Sequence, residues 1–254
     1  MPLTRAKKVV ATMAGKLGYT ILRTAGPVPV FHSPHSLRLN ARRLEHLASL
    51  RIPVTGLSVL EVGAAIGDHS HYYIDRGCRI TMTEGRADNL HHLRAFYPDH
   101  DVRQLNMDQP VPLAGAPFDV VHCYGLLYHL IDPARALRYL SASCKNVLLL
   151  ETCVSFGDAR EIHPVSENAG DVTQACSGTG CRPTRPWLFD QLAGLFEHVY
   201  VPTTQPNHEE FPIDWTAPER HRACVSRAVF VASRQPIDNE QLSPGLLDRQ
   251  TRMA

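Results

Sequence analysis

The chain alternates between short apolar segments and helix-like segments along most of its length. The strand-like segments are residues 58–62, 79–83, 102–105, 118–123, 147–151, 198–203 and 227–233. The helix-like segments are residues 39–50, 68–76, 87–96, 133–143 and 185–196. Alternation of this kind is typical of βαβ units, in which the strands form a parallel sheet and the helices cover its faces. The sequence therefore predicts an α/β fold.

A glycine-containing turn follows the first predicted strand. In the segment 57–69, Gly63 and Gly67 allow the backbone to bend sharply and to approach a ligand closely, and Glu61 leaves a carboxylate beside the turn. A strand that ends in such a turn and opens a helix is the arrangement with which α/β proteins bind nucleotides. The same junction also occurs in α/β proteins that bind nothing there, so the surrounding residues must show whether this turn binds a nucleotide.

Polar residues stand where the other predicted strands end. Glu84 follows the second strand, where a carboxylate can accept hydrogen bonds from both hydroxyls of a ribose. Asp108 follows the third strand and is placed to bind the exocyclic amine of a purine. The apolar and aromatic loop 124–130 follows the fourth strand and suits the flanks of a base and a reacting centre. Since ligands of open α/β sheets bind at these strand ends, we expect a nucleoside-containing cofactor there.

This series of motifs resembles the class I S-adenosylmethionine-dependent methyltransferases. Residues 60–67 look like the first motif of that family, Glu84 like its ribose-binding acid and 106–108 like its adenine-contacting loop. Residues 118–129 look like its fourth strand and the loop that follows. The resemblance covers the chain from the first strand to about residue 154, and more loosely to the end. Ala65 departs from the pattern, because the family usually has its middle glycine there.

The resemblance implies a Rossmann-like, doubly wound sheet of seven strands, mostly parallel, with an antiparallel last strand and helices on both faces. It implies S-adenosyl-L-methionine as the cofactor. The residues expected to bind it are Glu61, Gly63, Ala65, Gly67, Glu84, Met107, Asp108 and Tyr124. The reaction would be in-line transfer of a methyl group to an oxygen or nitrogen of a small molecule or saccharide.

Three alternatives remain beside this interpretation. A nicotinamide dehydrogenase also uses glycines and an acid at these positions, but the third glycine is lacking and Glu61 would repel a pyrophosphate. The same fold can use a modified sulfonium cofactor or cyclise the cofactor itself. A non-catalytic cofactor-binding or scaffold protein would explain Ala65 as a sign of decay.

Three residues are candidates for the general base that would take a proton from a hydroxyl acceptor. They are His129, which follows the fourth strand, Glu151, which ends the fifth strand, and His208, which lies in a late loop. A histidine in an apolar loop also serves as a structural hydrogen-bond partner, so a purely structural role stays open for each of them.

Two long connections are expected to bind the acceptor, because both leave the sheet at the edge that carries the cofactor turn. They span residues 153–183 and 205–226. The candidate substrate-binding residues are Tyr128, His163, Arg182, Asn207, Glu209 and Trp215. We expect no metal, because the spacing of Cys176 and Cys181 is loose for zinc and the histidines belong to different loops. The alternative is that the prolines and Trp215 simply anchor surface loops.

Charge is spread unevenly along the chain. The formal net charge is +1, with 26 Lys and Arg against 25 Asp and Glu, which gives no indication of a nucleic-acid partner. No acidic residue precedes Glu45, however, and apolar residues recur at helical spacing between Val9 and Leu22. We therefore expect residues 1–36 to form a basic arm, either packed on the protein or lying against a membrane surface.

The remaining expectations concern organisation and compartment. Residues 37–234 are predicted to form the catalytic domain and residues 235–254 a loose polar tail. No apolar run is long enough to span a bilayer. The odd number of cysteines, 7, without paired zinc-type spacing favours reduced thiols and a cytoplasmic location. The oligomeric state cannot be inferred from the sequence.

Overall fold

A computed structural model describes residues 26–253 together with Thr12, Met13 and Lys16. Within this part of the chain, the central sheet has eight strands in the order β11-β8-β10-β5-β4-β1-β2-β3. Their bounds are β1 Ser58–Val62, β2 Arg79–Glu84, β3 Asp101–Gln104, β4 Phe118–Tyr124, β5 Cys144–Val154, β8 His198–Pro202, β10 Ser226–Ser233 and β11 Leu242–Ser243. The predicted α/β fold is confirmed.

Strand direction follows the expected pattern. Strands β1 to β5 pair in parallel, whereas β10 is antiparallel to both of its neighbours, β5 and β8. The antiparallel last strand of the prediction is therefore β10. The eighth strand, β11, comes from the C-terminal tail and adds an antiparallel edge beside β8, which is why the sheet has one strand more than predicted.

The helices lie close to their predicted positions, and their ends are set by local signals. Their bounds are α1 Val28–Phe31, α2 Pro34–Ser49, α3 Ser70–Ile74, α4 Ala87–Phe96, α5 Pro133–Ala142 and α6 Arg185–Ala193. Ser33, Asp132 and Thr184 each accept a hydrogen bond from a backbone N–H in the first turn of the helix that follows. A proline stands in the first turn of the same three helices, where its missing N–H costs nothing.

Apolar side chains cover both faces of the sheet. Alternate residues of one strand enter different clusters: Leu60 and Val62 pack on one face and Val59 on the other. Helices α5 and α6 cover the first face through Leu137, Leu140, Leu188 and Leu192, and α2 and α4 cover the second through Leu39, Leu47 and Leu93. This two-sided burial holds the strand ends, and the loops that leave them, in fixed positions.

The first long connection is ordered rather than open. It contains a hairpin of two short strands, β6 Ile162–Ser166 and β7 Thr179–Pro183, which pair antiparallel to each other. The hairpin packs on a single helical turn, Leu127–His129, at the end of β4: the Arg182 guanidinium donates to the backbone oxygen of Tyr128 over 3.2 Å.

The prediction of a loose C-terminal tail is wrong. Besides β11, residues Thr251–Arg252 form a strand, β12, that pairs in parallel with β9, Thr204–Gln205. The buried Gln250 side chain accepts a hydrogen bond from the Trp215 indole over 2.8 Å and donates one to the oxygen of Pro202 over 2.6 Å. Polar composition suggested a solvated tail, but these side chains find partners in the second long connection.

Most of the predicted basic arm lies outside the described residues. Its last part is described, and there α1 and the beginning of α2 lie against the site. In the described part of the chain, no helix has the length and apolarity needed to cross a membrane.

Candidate active site

The turn after β1 is bent as the glycines predicted. Gly63, Ala65 and Gly67 have φ angles of 73°, 52° and 93°, and the amides of Gly63 and Ala64 each donate to the oxygen of Thr83 over 2.9 Å. A Cβ on Gly63 would lie 2.9 Å from the Leu126 side chain, so the residue has no room for one. Ala65 takes the left-handed conformation despite its side chain, so this departure from the family pattern leaves the turn intact.

Gly67, which is predicted to contact the cofactor, lies against an aromatic ring. A Cβ there would lie 2.3 Å from the Tyr97 ring, and the Tyr97 hydroxyl donates to the oxygen of Gly67 over 2.7 Å. Among the described residues, those that line the two cavities at the strand ends do not include Gly67. The glycine makes room for an aromatic ring that packs beneath the turn.

A narrow cleft runs along the carboxyl ends of β1, β2 and β3. Its walls include Gly63, Ala65, Glu84, Met107 and Asp108, as predicted for the cofactor site. The Glu84 carboxylate accepts hydrogen bonds from the amides of Ala65 over 2.8 Å and of Arg86 over 2.7 Å. Burial raises the pKa of Glu84, and these amide hydrogen bonds oppose that rise. The carboxylate is therefore held at the point where the cofactor turn meets the cleft.

The cleft fits a nucleoside cofactor by its own chemistry. Asp108 accepts from the amide of Ile131 over 3.0 Å, which fixes its side chain on the wall of the cleft. Buried Met107 and Leu105 add an apolar wall for a base, while Glu84 offers the carboxylate for a ribose. An apolar wall and two carboxylates in one cleft are the groups that an adenine and a ribose require.

A larger cavity of about 540 Å³ opens beside this cleft, a size suited to a small molecule. Both spaces are lined by Phe31, Gly63, Ala65, Gly125, His129, Thr173 and Gln174. The far wall of the large cavity comes from α2 and from chain segments distant in sequence: Ser33, His35, Ser36, Asn40, Arg43, Tyr128, Arg182 and Arg227. We infer that the cleft holds the nucleoside part of the donor, and that the cavity takes the amino-acid end of the donor together with the acceptor, so that the shared residues lie where the methyl group is transferred.

His129 is one of the shared residues. Its Nδ1 lies 2.5 Å from Glu167 Oε2, and Glu167 also accepts from the amide of Ala175 over 2.7 Å. Burial opposes ionisation of Glu167, but the hydrogen bond and charge of His129 outweigh it together with Ala175 and Arg182, so the carboxyl pKa is lowered. With Nδ1–H donated to this carboxylate, the Nε2 atom of a neutral His129 carries the lone pair that a general base needs.

The other two candidate bases lie in different surroundings. Glu151 is fully buried between two guanidiniums, Arg43 at 2.7 Å and Arg227 at 3.2 Å. His208 is also buried, its Nδ1 accepts from the amide of Glu210 over 3.2 Å, and burial lowers its pKa to about 4. Neither is among the described residues that line the two cavities. Their contacts favour structural roles.

Glu61 faces the large cavity next to the glycine turn. It is 2% exposed and accepts from the Ser70 hydroxyl over 2.5 Å. Burial raises its pKa to about 7, and the charge of Asp68 adds to the rise while the Ser70 hydrogen bond opposes it. A cationic group brought against Glu61 would reverse this effect, so the site is suited to the ammonium of an amino acid.

A directional hydrogen-bond chain joins the core to the cavity wall beside Glu61. The Tyr73 hydroxyl lies 2.9 Å from His122 Nδ1, and His122 Nε2 lies 3.4 Å from His69 Nδ1. On the other side of the second ring, His69 Nε2 lies 3.1 Å from Asn40 Oδ1. Because the amide oxygen of Asn40 must accept, the chain runs from Tyr73 through His122 and His69, with both rings neutral. Burial lowers the pKa of His122 to about 3, in agreement with that state.

The predicted acceptor residues divide into two groups. Tyr128 and Arg182 line the large cavity, and the Arg182 guanidinium stands 5.0 Å from the centroid of the Tyr128 ring. Tyr124, predicted for the cofactor, lines the same cavity, and its buried hydroxyl has no hydrogen-bond partner in the described structure.

Four predicted acceptor residues are absent from the described lining of both cavities: His163, Asn207, Glu209 and Trp215. His163 is exposed on β6 and pairs with Glu161, and exposed Glu209 contacts Arg38 on α2. Asn207 is exposed. The Trp215 ring packs beneath the Arg185 guanidinium, 4.0 Å from its centroid. His163, Asn207 and Glu209 are exposed outside both cavities and Trp215 is packed on Arg185, so a role in acceptor binding stays a prediction for all four.

Sequence reasoning missed Asn40, Arg43 and Arg227. A signal for Arg43 exists, because Leu39, Arg43 and Leu47 follow at intervals of four and all three are buried on one face of α2. A charged residue within an apolar helical stripe predicts a buried partner, here Glu151.

Comparison with known proteins agrees with this geometry. A family model described as a methyltransferase domain matches residues 34–199. Two ubiquinone biosynthesis O-methyltransferases, from Albidiferax ferrireducens and Xylella fastidiosa, are each 30% identical over 106 and 118 residues, or 40% and 43% of this chain. The matched regions span 42% and 44% of those relatives, less than half of their length.

Solved structures share the fold at low identity. The N-terminal domain of EvdMO1, crystallised in the presence of SAH and D-fucose, has a TM-score of 0.60 at 20% identity and covers 90% of this chain and 97% of its own. A Burkholderia thailandensis 1,6-didemethyltoxoflavin-N1-methyltransferase with its substrate and S-adenosylhomocysteine has a TM-score of 0.52 at 17% identity, covering 93% of both chains.

Sheet order, glycine turn and strand-end acids define the architecture of a class I S-adenosylmethionine-dependent methyltransferase. Because the family match spans well over half of the sequence, the chain belongs to the methyltransferase domain family.

Proposed function

We propose that this protein transfers a methyl group from S-adenosylmethionine to an oxygen of a small molecule, with His129 as the general base. The observation that carries the proposal is the position of His129. It lines both the donor cleft and the acceptor cavity, and Glu167 holds its Nδ1. A base at that position is needed for a hydroxyl acceptor, because an alcohol must lose its proton as the new bond forms.

The donor site follows from residues of the cleft and from Glu61 on the adjoining wall of the large cavity. Glu84 would hold the ribose hydroxyls, Asp108 the adenine amine and Glu61 the ammonium group, each at a place the cavity lining supports. When bound, the sulfonium supplies a methyl group that is already activated for in-line displacement. The protein then contributes alignment of the acceptor and exclusion of water.

The reaction balances without a further reactant. The acceptor oxygen forms a bond to the methyl carbon, the carbon–sulfur bond breaks, and its electron pair stays on the sulfur of S-adenosylhomocysteine. His129 Nε2 takes the hydroxyl proton, and the resulting imidazolium is stabilised by the Glu167 carboxylate.

The acceptor class rests on the cavity wall. The hydroxyls of Ser33, Ser36 and Tyr128 and the amide of Asn40 stand there beside the apolar side chains of Phe31 and Leu39. This mixture suits a polar molecule that carries several hydroxyls, such as a saccharide or a phenolic natural product. The O-methyltransferase relatives and the neighbour crystallised with D-fucose support the same class.

Nitrogen acceptors form the second candidate, supported by the toxoflavin N1-methyltransferase neighbour. A nitrogen nucleophile needs its proton removed only after transfer, so it depends less on His129. The two candidates therefore differ in their response to substitution of this residue.

The test is an assay of S-adenosylhomocysteine release with methyl-labelled S-adenosylmethionine and a panel of monosaccharides, phenols and heterocyclic amines. We expect label in a hydroxyl-bearing compound and a loss of about 10²-fold or more in kcat for His129→Gln. His163→Ala, an exposed histidine of the neighbouring hairpin, is the matched control and should retain full activity. Methylation of an amine at an unchanged rate in His129→Gln would contradict the proposal.

A modified sulfonium cofactor, cyclisation of the cofactor and a non-catalytic binding role predict other results. Mass spectrometry of the small molecule that co-purifies with the protein separates them: we expect S-adenosylmethionine or S-adenosylhomocysteine. A carboxylated sulfonium, a cyclised product or the lack of any adenosyl compound, together with no affinity in titration, would favour the respective alternative.

We also propose a cytoplasmic location, which the seven unpaired cysteines support. Contact of residues 1–30 with an anionic membrane surface is a separate proposal, based on the basic sequence alone. Co-sedimentation with anionic liposomes, with and without these residues, should show binding only for the longer chain.

A further inference from the structure

The segment between β6 and β7 covers the donor cleft. Residues 167–178, here called the flap, place Val172, Thr173, Gln174, Ala175 and Cys176 on the wall of that cleft. The flap therefore lies over the same space that Glu84 and Asp108 border from the sheet side.

Two residues at the start of α4 hold the flap in place. The Arg86 guanidinium donates to the backbone oxygens of Gln174 over 3.1 Å and of Ala169 over 2.7 Å. The Asn89 side-chain amide donates to the oxygen of Val172 over 3.0 Å. Arg86 follows Glu84 by two residues, and its own amide donates to that carboxylate. Arg86, which holds the flap, and Glu84, the predicted ribose contact, therefore lie in one short stretch of chain.

Glu167, the first residue of the flap, connects the flap to His129, the proposed general base. One oxygen of its carboxylate accepts from both His129 Nδ1 and the amide of Ala175, and the other lies 3.6 Å from the Arg182 guanidinium. The side chain is 6% exposed. A Cβ on Gly180 would lie 2.5 Å from the oxygen of Tyr128 and 2.7 Å from Glu167 Oε1, so β7 must carry glycine there for the carboxylate to reach His129.

We propose that Glu167 is a positioning residue for His129, and that through it closure of the flap over the donor prepares the general base. The same carboxylate oxygen ties the flap at Ala175 and fixes the His129 tautomer whose Nε2 lone pair is available. An open flap would withdraw the carboxylate from His129 and leave its ring free to take the other tautomer. This inference rests on the proposed function of His129.

The coupling is reciprocal. If the closed flap favours both donor binding and the Nδ1–H tautomer, a change that loosens the flap at a residue with no hydrogen bond to Glu167 or His129 must affect both properties. Arg86 offers such a change, because its contacts to the flap are with backbone oxygens of Ala169 and Gln174.

The experiment combines histidine NMR with donor-site titration, and it needs no acceptor. In protein labelled with ¹⁵N-histidine, His129 is assigned by the loss of its signals in His129→Gln, and S-adenosylhomocysteine affinity is measured by calorimetry. Wild-type protein with S-adenosylhomocysteine bound should show the Nδ1–H tautomer. In Glu167→Ala we expect a shift to the Nε2–H tautomer and about tenfold weaker S-adenosylhomocysteine binding.

Three further variants complete the design. Glu167→Gln keeps an oxygen acceptor and should restore part of the Nδ1–H signature. Arg86→Ala should weaken S-adenosylhomocysteine binding and also raise the Nε2–H population of His129. His163→Ala, on the same hairpin but exposed, should change neither property. Thermal unfolding midpoints show which variants keep the fold.

An unchanged His129 tautomer in Glu167→Ala would overturn the positioning role. A changed affinity in Arg86→Ala with an unchanged His129 tautomer would overturn the coupling. Both readouts are independent of methyl transfer, so a failure of the proposed function, seen as no transfer to any acceptor, is distinguishable from a failure of this inference.

Discussion

The two cavities are built in different ways. The donor cleft takes its sheet-side wall from residues 63–65, 84–89 and 105–108, which are successive strand ends in chain order. The acceptor cavity is assembled from α2, which precedes the sheet, from the β6–β7 hairpin, and from β10 near the other end of the chain. The sheet side of the donor cleft is thus specified by local turns. The flap over it and the far wall of the acceptor cavity depend instead on contacts between segments about a hundred residues apart, such as Arg43 and Glu151.

The largest effect is expected at the turn that begins the donor cleft. Gly63→Val places a branched side chain at a φ of +73° and within 2.9 Å of Leu126, so we expect loss of measurable S-adenosylhomocysteine binding. Gly56→Val is the matched control: its φ is +74°, but no atom lies within 4 Å of the added Cβ. Calorimetric titration of both variants separates the clash from backbone strain. Equal affinity in the two variants would contradict the account.

On the acceptor side, we expect the main effect of substitution to be a lower free energy of unfolding. Glu151→Ala leaves Arg43 and Arg227 buried without their common partner, and we expect the free energy of unfolding to fall by about 3–5 kcal/mol. Glu45→Ala removes an exposed partner of Arg42 on the same helix and should have a small effect. Denaturant unfolding measures both. A small loss in Glu151→Ala would show that the arginines reach solvent or other partners.

Glu61 lines the larger cavity next to the glycine turn, and its ionisation should make stability depend on pH. Its pKa is raised from 4.5 to about 7 in the folded protein, so folding favours the protonated carboxyl. The resulting stability is complete below pH 4.5 and is lost as pH rises through 7. Relative to Glu61→Gln, the wild type should therefore lose about 3 kcal/mol of unfolding free energy over that interval. A constant difference between the two proteins across these pH values would refute the assignment.

The smallest effect is expected where the second long connection contacts the C-terminal segment. Trp215→Phe removes the indole hydrogen bond to Gln250 but keeps an aromatic ring beneath Arg185. We expect about 1 kcal/mol less stability and unchanged S-adenosylhomocysteine affinity. Thermal unfolding and titration check the two parts, and weaker donor binding would show that the two regions are not independent.

The sequence predicted which residues meet at the carboxyl edge of the sheet, because that information is local, and their contact with the cofactor stays a prediction. A parallel sheet brings all strand ends to one edge, so Glu84 and Asp108 could be placed from the strands that precede them. Gly67 shows the limit of this reasoning. Its place in the motif indicated a ligand contact, while its actual neighbour, Tyr97, lies thirty residues later and was not visible from the turn.

The acceptor side was predicted less well for the same physical reason. Glu151 and His208 have the chemistry of a base, but whether a carboxylate or imidazole is available depends on what packs against it. Arg43 and Arg227 neutralise Glu151, and an amide occupies His208 Nδ1. The sequence could place His129 at the edge of the sheet because it closely follows β4. It could not place the partner, Glu167, because the hairpin that carries this residue folds back over the edge of the sheet.

The measurement that tests the central claim most directly is a crystal structure of the protein with S-adenosylhomocysteine bound. We predict the ribose hydroxyls on Glu84, the adenine beside Asp108, and the sulfur facing the acceptor cavity within reach of His129 Nε2. A complex in which the sulfur points away from His129, or in which the nucleoside lies outside this cleft, would contradict the account.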